Sequence, residues 1–347
     1  MIQKKLVATC PTGLGGGGLG QHLAQILFDA RSSGFETRAI CQGGVDSAAD
    51  AIDSRWEGKL FKIPPFRFRP DLRVWLRHVV FDREAAKRLT PCDNLTAFMG
   101  GALSTFKRAR EIGVERLVLE MPNSHPANVQ RLHQAAFDRH PLERSWLGTA
   151  FRARVEKELE LADEVRANSD YTIESAVAMG IDRAKLVRRH LPPNPRFSHI
   201  SRVPHPQGLR VAVLVGSLSV VKGIPFLVDI FRQIEGADLR LVLFGGWSSR
   251  GMRQYIEEAC RRDGRISWRS GDPAEVFDTA SIALHPSWED GWGYAPAEAL
   301  AAGLPVVVSD QTGMKELLDG HPDAVLPAGD TAAWKARLER WARDTKA

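Results

Sequence analysis

GLRVAVLVGSLSVVKGIPFL, residues 208–227, sets a run of Val, Leu and Ile before a glycine, a short loop and a helix whose first turn contains Pro225. A strand covered on both faces reads as a continuous apolar run instead of an alternating one, which is the mark of a parallel sheet sandwiched by helices. The pattern recurs toward the C-terminus in LRLVLFGG (239–246), RISWRSG (265–271), IALHPS (282–287), LPVVVSD (304–310) and AVLPAG (324–329). Helical segments are expected between them at 224–234, 251–262, 273–280, 296–302, 313–319 and 331–345. Strands and helices in strict alternation predict a doubly wound α/β domain.

The first half repeats the alternation with longer insertions: KLVATC (5–10), TRAICQ (37–42), KLFKIP (59–64), LTAFM (95–99), RLVLE (116–120) and VRANS (165–169) as strands. Helices are expected at 19–33, 71–89, 102–112, 128–138, 143–163 and 170–179, with Gly34 and Gly180 as C-caps. Two Rossmann-like domains result, 1–192 and 209–330. The proline-rich stretch 193–208 is read as a linker, and 331–347 as a terminal helix packing back on the first domain. Open α/β sheets bind ligands at the carboxyl ends of their strands, so the loops there are the places to search.

Composition narrows the function class. The chain has 347 residues, 44% hydrophobic and 26% charged, which is globular usage and excludes a disordered or collagen-like protein. Its 47 basic and 42 acidic groups leave only +5, and no dense basic stripe marks a nucleic-acid partner. Cys10, Cys41, Cys92 and Cys260 lie far apart, and neither they nor the ten histidines show metal-ligand spacing. No apolar run reaches the ~18–20 residues that span a bilayer, and MIQKKLVATC reads as a strand, not a signal peptide. A cytoplasmic location is expected, with no cofactor and no metal.

Three stretches carry chemistry. PTGLGGGGLG (11–20) follows the first strand and opens a helix, so Gly15, Gly16, Gly17 and Gly18 present bare N–H groups to a phosphate or glycosyl oxygen, or simply make a tight turn. The match to the dinucleotide glycine pattern is undercut by TRAICQ, which ends in Gln42 where a dehydrogenase wants an acid. Lys222 and Gly223 sit at the start of the helix after 208–216, where ammonium and helix dipole together suit a diphosphate; a solvated loop lysine is the plainer alternative. In IALHPSWEDGWGYAPAEALAAG (282–303), Asp290 lies on a glycine turn and Glu298 in the first helical turn. One carboxylate can hold sugar hydroxyls and the other a ribose, or Glu298 merely complements the helix dipole. Trp288 and Trp292 flank that loop as candidate stacking rings. FRFRPDLRVWLRHVVFDREAAKRL (66–89) is basic and amphipathic: its apolar stripe is core, or it lies on an anionic membrane, or its arginines hold acceptor phosphates.

Taken together, the glycine loop, Gly216-x-Leu-x-x-x-Lys222-Gly223 and the acid-Gly-Trp-Gly segment with Glu298 eight positions after Asp290 resemble the retaining glycosyltransferases of family 4, also called glycosyl transferases group 1. The resemblance is specific over 208–330 and 11–25 and loose between. It implies the GT-B fold, a nucleotide-sugar donor on the second domain, a saccharide or glycolipid acceptor on the first, and metal-independent hexose transfer with retention in cell-surface polysaccharide or glycolipid synthesis. By that likeness Lys222 holds the diphosphate and Asp290 the donor sugar, with Gly216, Ser217, Glu289, Gly291, Trp292 and Gly293 also on the donor. Glu298 holds the ribose, the amides of Tyr294 and Ala295 the distal phosphate, and His125 in MPNSHPAN (121–128) lies near the reacting carbon. The chain departs from the pattern at Ser217, where Arg is common, and at Asp290, where Glu is usual and Glu289 stands adjacent. Those departures favour one alternative, a catalytically silent nucleotide-sugar binder; a nucleotide-sugar epimerase on the same architecture is another. Asp-x-Asp, the metal motif of the other large glycosyltransferase fold, is missing from the sequence.

Overall fold

The computed structural model describes residues 3–15, 17–43, 49–203 and 205–343. They form two compact units: Met1–Gln130 with Arg144–Leu191, and Arg131–Glu143 with Pro192–Ala347.

The first unit is built on strands β1 (Lys5–Cys10), β2 (Glu36–Cys41), β3 (Ala49–Ala51), β4 (Asn94–Phe98), β5 (Arg116–Met121), β6 (Glu164–Ala167) and β7 (Leu186–Arg188). They make one parallel sheet in the order β3-β2-β1-β4-β5-β6-β7. Its inner strands β1, β4, β5 and β6 are buried through most of their length because helices cover both faces, as the unalternating runs require. One local expectation fails: KLFKIP is not a strand. Glu57–Leu60 is a single helical turn followed by Pro64 and Pro65, and the edge place beside β2 goes to β3, with Ala39 opposite Ala49. The charged side chain on that short strand explains its fit, since Asp50 pairs with Arg38 at 2.6 Å and Arg88 at 2.6 Å. The basic stretch 66–89 becomes helix Pro70–Arg88, and its apolar stripe faces the core: Val79 is buried and Trp75 packs on the central cluster. Thus the stripe serves packing.

The second unit carries β8 (Arg210–Val215), β9 (Leu239–Phe244), β10 (Ile266–Arg269), β11 (Ile282–His285), β12 (Val306–Ser309) and β13 (Val325–Leu326), all parallel, in the order β10-β9-β8-β11-β12-β13. Each sheet reverses its winding once, between β1 and β4 and between β8 and β11, and such a switch point opens a crevice at the carboxyl ends of the flanking strands. The described residues of the expected linker, 193–208, include several that pack on the second unit. Phe197 is buried edge-on against Phe277 at 5.6 Å, Arg196 forks onto Asp272, and Arg202 donates to the carbonyls of Gly303 and Ala280. Helix Thr331–Arg343 likewise belongs to this unit and not to the first: Trp334, Leu338 and Trp341 enter its core, with Trp334 edge-on to Phe226. Residues 131–143, drawn from the first half of the sequence, also pack here. Glu143 accepts the N–H of Val220 at 2.7 Å and so fixes the loop after β8.

Candidate functional site

In the second unit the two chemically marked loops meet at the switch point. The loop after β8 ends in Gly223, which caps helix Ile224–Phe231 with φ +75°. Only glycine fits there, since a Cβ would stand 2.2 Å from the Pro286 carbonyl oxygen. That close approach draws the Lys222 loop onto the loop after β11. Across it, Lys222 Nζ donates to Asp290 Oδ2 at 2.7 Å and to the Glu289 carbonyl at 3.4 Å. His285, the last residue of β11, places its Nε2 2.9 Å from the same Oδ2. The backbone of Asp290 is pinned as well, its N–H bonded to Gln311 O at 3.0 Å and its carbonyl to Gly313 N–H at 2.9 Å.

The electrostatics follow from this arrangement. Burial alone would raise the Asp290 carboxyl, but the Lys222 ammonium and the His285 hydrogen bond outweigh it and hold the group well below the usual carboxylate range. Burial lowers His285, an effect that the neighbouring Lys222 reinforces and Asp290 opposes. His133 on helix Pro126–Arg139 is pushed down to about 3, mostly by burial and further by Lys222. Sequence reading missed His133 and His285 as neighbours of this pair. For His285 the signal was its place directly before Pro286 at a strand end; for His133 there was none.

Gly293, φ +93°, caps helix Tyr294–Ala301, so Tyr294 and Ala295 are its first two residues and stand at its N-terminus. Glu298 consequently falls one residue past the first turn, not within it as expected, because the helix starts two residues ahead of Pro296. Glu298 is 8% exposed, and burial pushes its carboxyl up to about 7, with Arg196 pulling down and Asp272 adding to the rise. Glu289 is buried, while Gly216 and Ser217 follow β8 with Ser217 exposed. Trp288 and Trp292 are 8% and 4% exposed, and Trp288 lies against Phe226 and Gly329. Both rings are largely buried.

In the first unit, the loop after β1 turns at Gly15, φ +76°, whose N–H bonds to Gly20 O at 3.1 Å, and helix Gly17–Ser32 follows. Gly16 lies outside the described residues; Gly18 is in the helix's first turn. The glycine that packing demands is Gly20, where a Cβ would come 2.4 Å from Gly13 O. His125 follows β5 and is 4% exposed; its Nδ1 accepts the N–H of Ala127 at 3.2 Å, and its own N–H donates to Ser175 Oγ at 2.9 Å. An acceptor Nδ1 puts the ring proton on Nε2, and burial lowers the pKa, so the ring is a neutral Nε2–H donor.

Two parallel doubly wound units with these loops define a GT-B protein. Sucrose-phosphate synthase from Thermosynechococcus elongatus superposes with a TM-score of 0.74 at 16% identity, over 98% of this chain and 92% of that one. Residues 210–344 match the family Glycosyl transferases group 1. Among curated relatives, an uncharacterised glycosyltransferase of Methanocaldococcus jannaschii is 31% identical over 36% of this chain and 34% of its own length. A GDP-mannose-dependent alpha-mannosyltransferase of Mycobacterium tuberculosis is 29% identical over 49% and 45%. The matches thus span between a third and half of these relatives. Among the described residues no helix is long and apolar enough to cross a membrane.

Proposed function

We propose that the protein is a retaining, metal-independent hexosyltransferase that uses a nucleoside-diphosphate sugar and serves cell-surface polysaccharide or glycolipid synthesis. The observation that carries this is the Lys222 ammonium, 2.7 Å from Asp290, at the switch point of the second unit, inside the stretch that matches the glycosyltransferase family. A diphosphate at that crevice takes Lys222 from Asp290. Its distal phosphate lies on the N-terminal amides of Tyr294 and Ala295, where the helix dipole favours negative charge. Glu298, in its ionised form, accepts ribose hydroxyls, and Asp290 turns to the sugar. Negative charge developing on the leaving phosphate is stabilised by Lys222 and main-chain dipoles. That phosphate then takes the acceptor's proton on the face it leaves, with an oxocarbenium-like sugar between, which gives retention.

The test has two stages. A thermal-shift panel of ADP, GDP, UDP and dTDP should single out one nucleotide, since a ligand at ~100 times its Kd adds ~2.7 kcal/mol of stability. The matching nucleotide-sugars should then release nucleotide in the presence of EDTA, and the anomeric configuration of the product, read by NMR, should equal that of the donor. Binding without release would leave a silent nucleotide-sugar binder. A new sugar isomer without transfer would make it an epimerase.

A further inference from the structure

We infer that His285 is a positioning residue: its Nε2–H keeps Asp290 ionised and in place when Lys222 leaves it for a diphosphate. The inference rests on the nucleotide-sugar reading above and explains how that exchange becomes affordable.

As the structure stands, Lys222 is not an idle cation. Its side chain is 24% exposed and already saturated by an Asp290 side chain that is 19% exposed. An arriving anion must take the ammonium away, which by itself would strand a largely buried carboxylate beside a second negative charge. Stranding one partner of such a pair is costly, commonly ~3–5 kcal/mol, and would oppose binding. The Asp290 oxygen that binds Lys222 also accepts from His285, at 2.9 Å. That second bond does not depend on the ligand. His285 is 4% exposed, and its backbone is held in register opposite Val308 of β12, so the imidazole cannot follow a departing partner.

The proton arrangement agrees. His285 Nδ1 is buried and has no hydrogen-bond partner. A proton there would be an unsatisfied buried donor, so the neutral ring carries its proton on Nε2, aimed at Asp290. The groups that face the pair are Lys222 from the loop after β8, His285 from β11 and, toward Lys222, His133 from helix Pro126–Arg139. Burial and the Lys222 charge both disfavour protonation of the two histidines, so in the neutral range Lys222 is the cation of the cluster and His285 the uncharged holder.

The experiment measures by calorimetry, from pH 5 to 9, the Kd of whichever of ADP, GDP, UDP and dTDP binds the wild-type chain most tightly. A hydrogen bond to a charged group is worth enough that its loss, in His285→Leu, should weaken binding ~10-fold or more at pH 8–9, with the penalty shrinking toward pH 5 as protonation of Asp290 removes the stranded charge. His285→Gln, which keeps an N–H donor, should recover most of the affinity at pH 8–9. In a Lys222→Ala background, where no exchange takes place, His285→Leu should change Kd less than twofold. A His285→Leu chain that binds within twofold of wild type at pH 8–9 overturns the assignment. So does a Gln variant as weak as Leu, or a His285→Leu penalty undiminished in the Lys222→Ala background. Should the Leu variant not fold, His285→Asn, too short to reach the carboxylate, takes its place in the series with the same expected outcomes. If the wild-type chain binds none of the four nucleotides, it is the nucleotide reading that fails.

Discussion

Each unit holds charged side chains behind its strand ends, but in opposite states. In the first, Glu158 is fully buried and accepts the N–H groups of Gly100, Ala102 and Leu103 at 2.5, 3.0 and 3.0 Å, with Arg154 at 3.3 Å. Asp82, equally buried, binds Ser104, Thr105 and Arg154. His22, Glu120 and Arg189 form a second closed set around helix Gly17–Ser32. These charges shape the loops after β4 and β1 and are consumed in doing so. In the second unit the Lys222–Asp290 pair reaches the surface, and its acid has a spare partner in His285. Depth thus separates charge that builds a loop from charge that is available to a ligand.

The largest effect that would test this contrast is on stability. Glu158→Ala leaves three buried N–H groups and Arg154 without their acceptor, and is predicted to cost ~3–5 kcal/mol in chemical denaturation. A loss below ~1 kcal/mol would erase the distinction. Lys222→Ala should do the reverse: turnover falls about 10²–10³-fold, ~3–4 kcal/mol of transition-state stabilisation, while the denaturation midpoint moves less than for Glu158→Ala. Wild-type turnover in that variant would remove Lys222 from the site.

Next in size, Glu298→Gln should weaken nucleotide binding about 10-fold at pH 8, more than it lowers turnover. Because burial pushes Glu298 up to about 7, its acceptor form is populated only above that pH. Wild-type affinity should therefore rise with pH through about 7, and the variant's should not. Linkage has the matching sign: the folded chain binds this proton more tightly than the unfolded one, so the contribution of Glu298 to stability falls as pH rises from the ordinary carboxyl value, 4.5, to about 7. Smallest, Ser217→Arg at an exposed position beside the Lys222 loop should tighten diphosphate binding by about 1 kcal/mol, roughly fivefold, and more so at low salt. No gain at low salt would place residue 217 out of reach of the diphosphate.

Much of the site was legible locally. The run at 208–216 needs no partner to declare a doubly covered strand, and Lys222-Gly223 and Asp290-Gly291-Trp292-Gly293 mark turns that the observed positive φ of Gly223 and Gly293 explains. Conformational demands of that kind act within a few residues, so sequence expresses them directly. KLFKIP misled because a short apolar stretch carries no information on which segment will win a sheet edge.

Amino-acid order by itself determined the alternation of strands and helices, the turns and the residue types offered at strand ends. Tertiary structure alone decided that β8 and β11 are neighbours, and with that the meeting of Lys222, Asp290 and His285 on one carboxylate oxygen. It also decided that residues 131–143 pack in the second unit and that Trp288 and Trp292 are buried. Backbone preference is a property of each short stretch, whereas a contact between groups 68 residues apart exists only once the winding of the sheet has chosen which loops share a crevice.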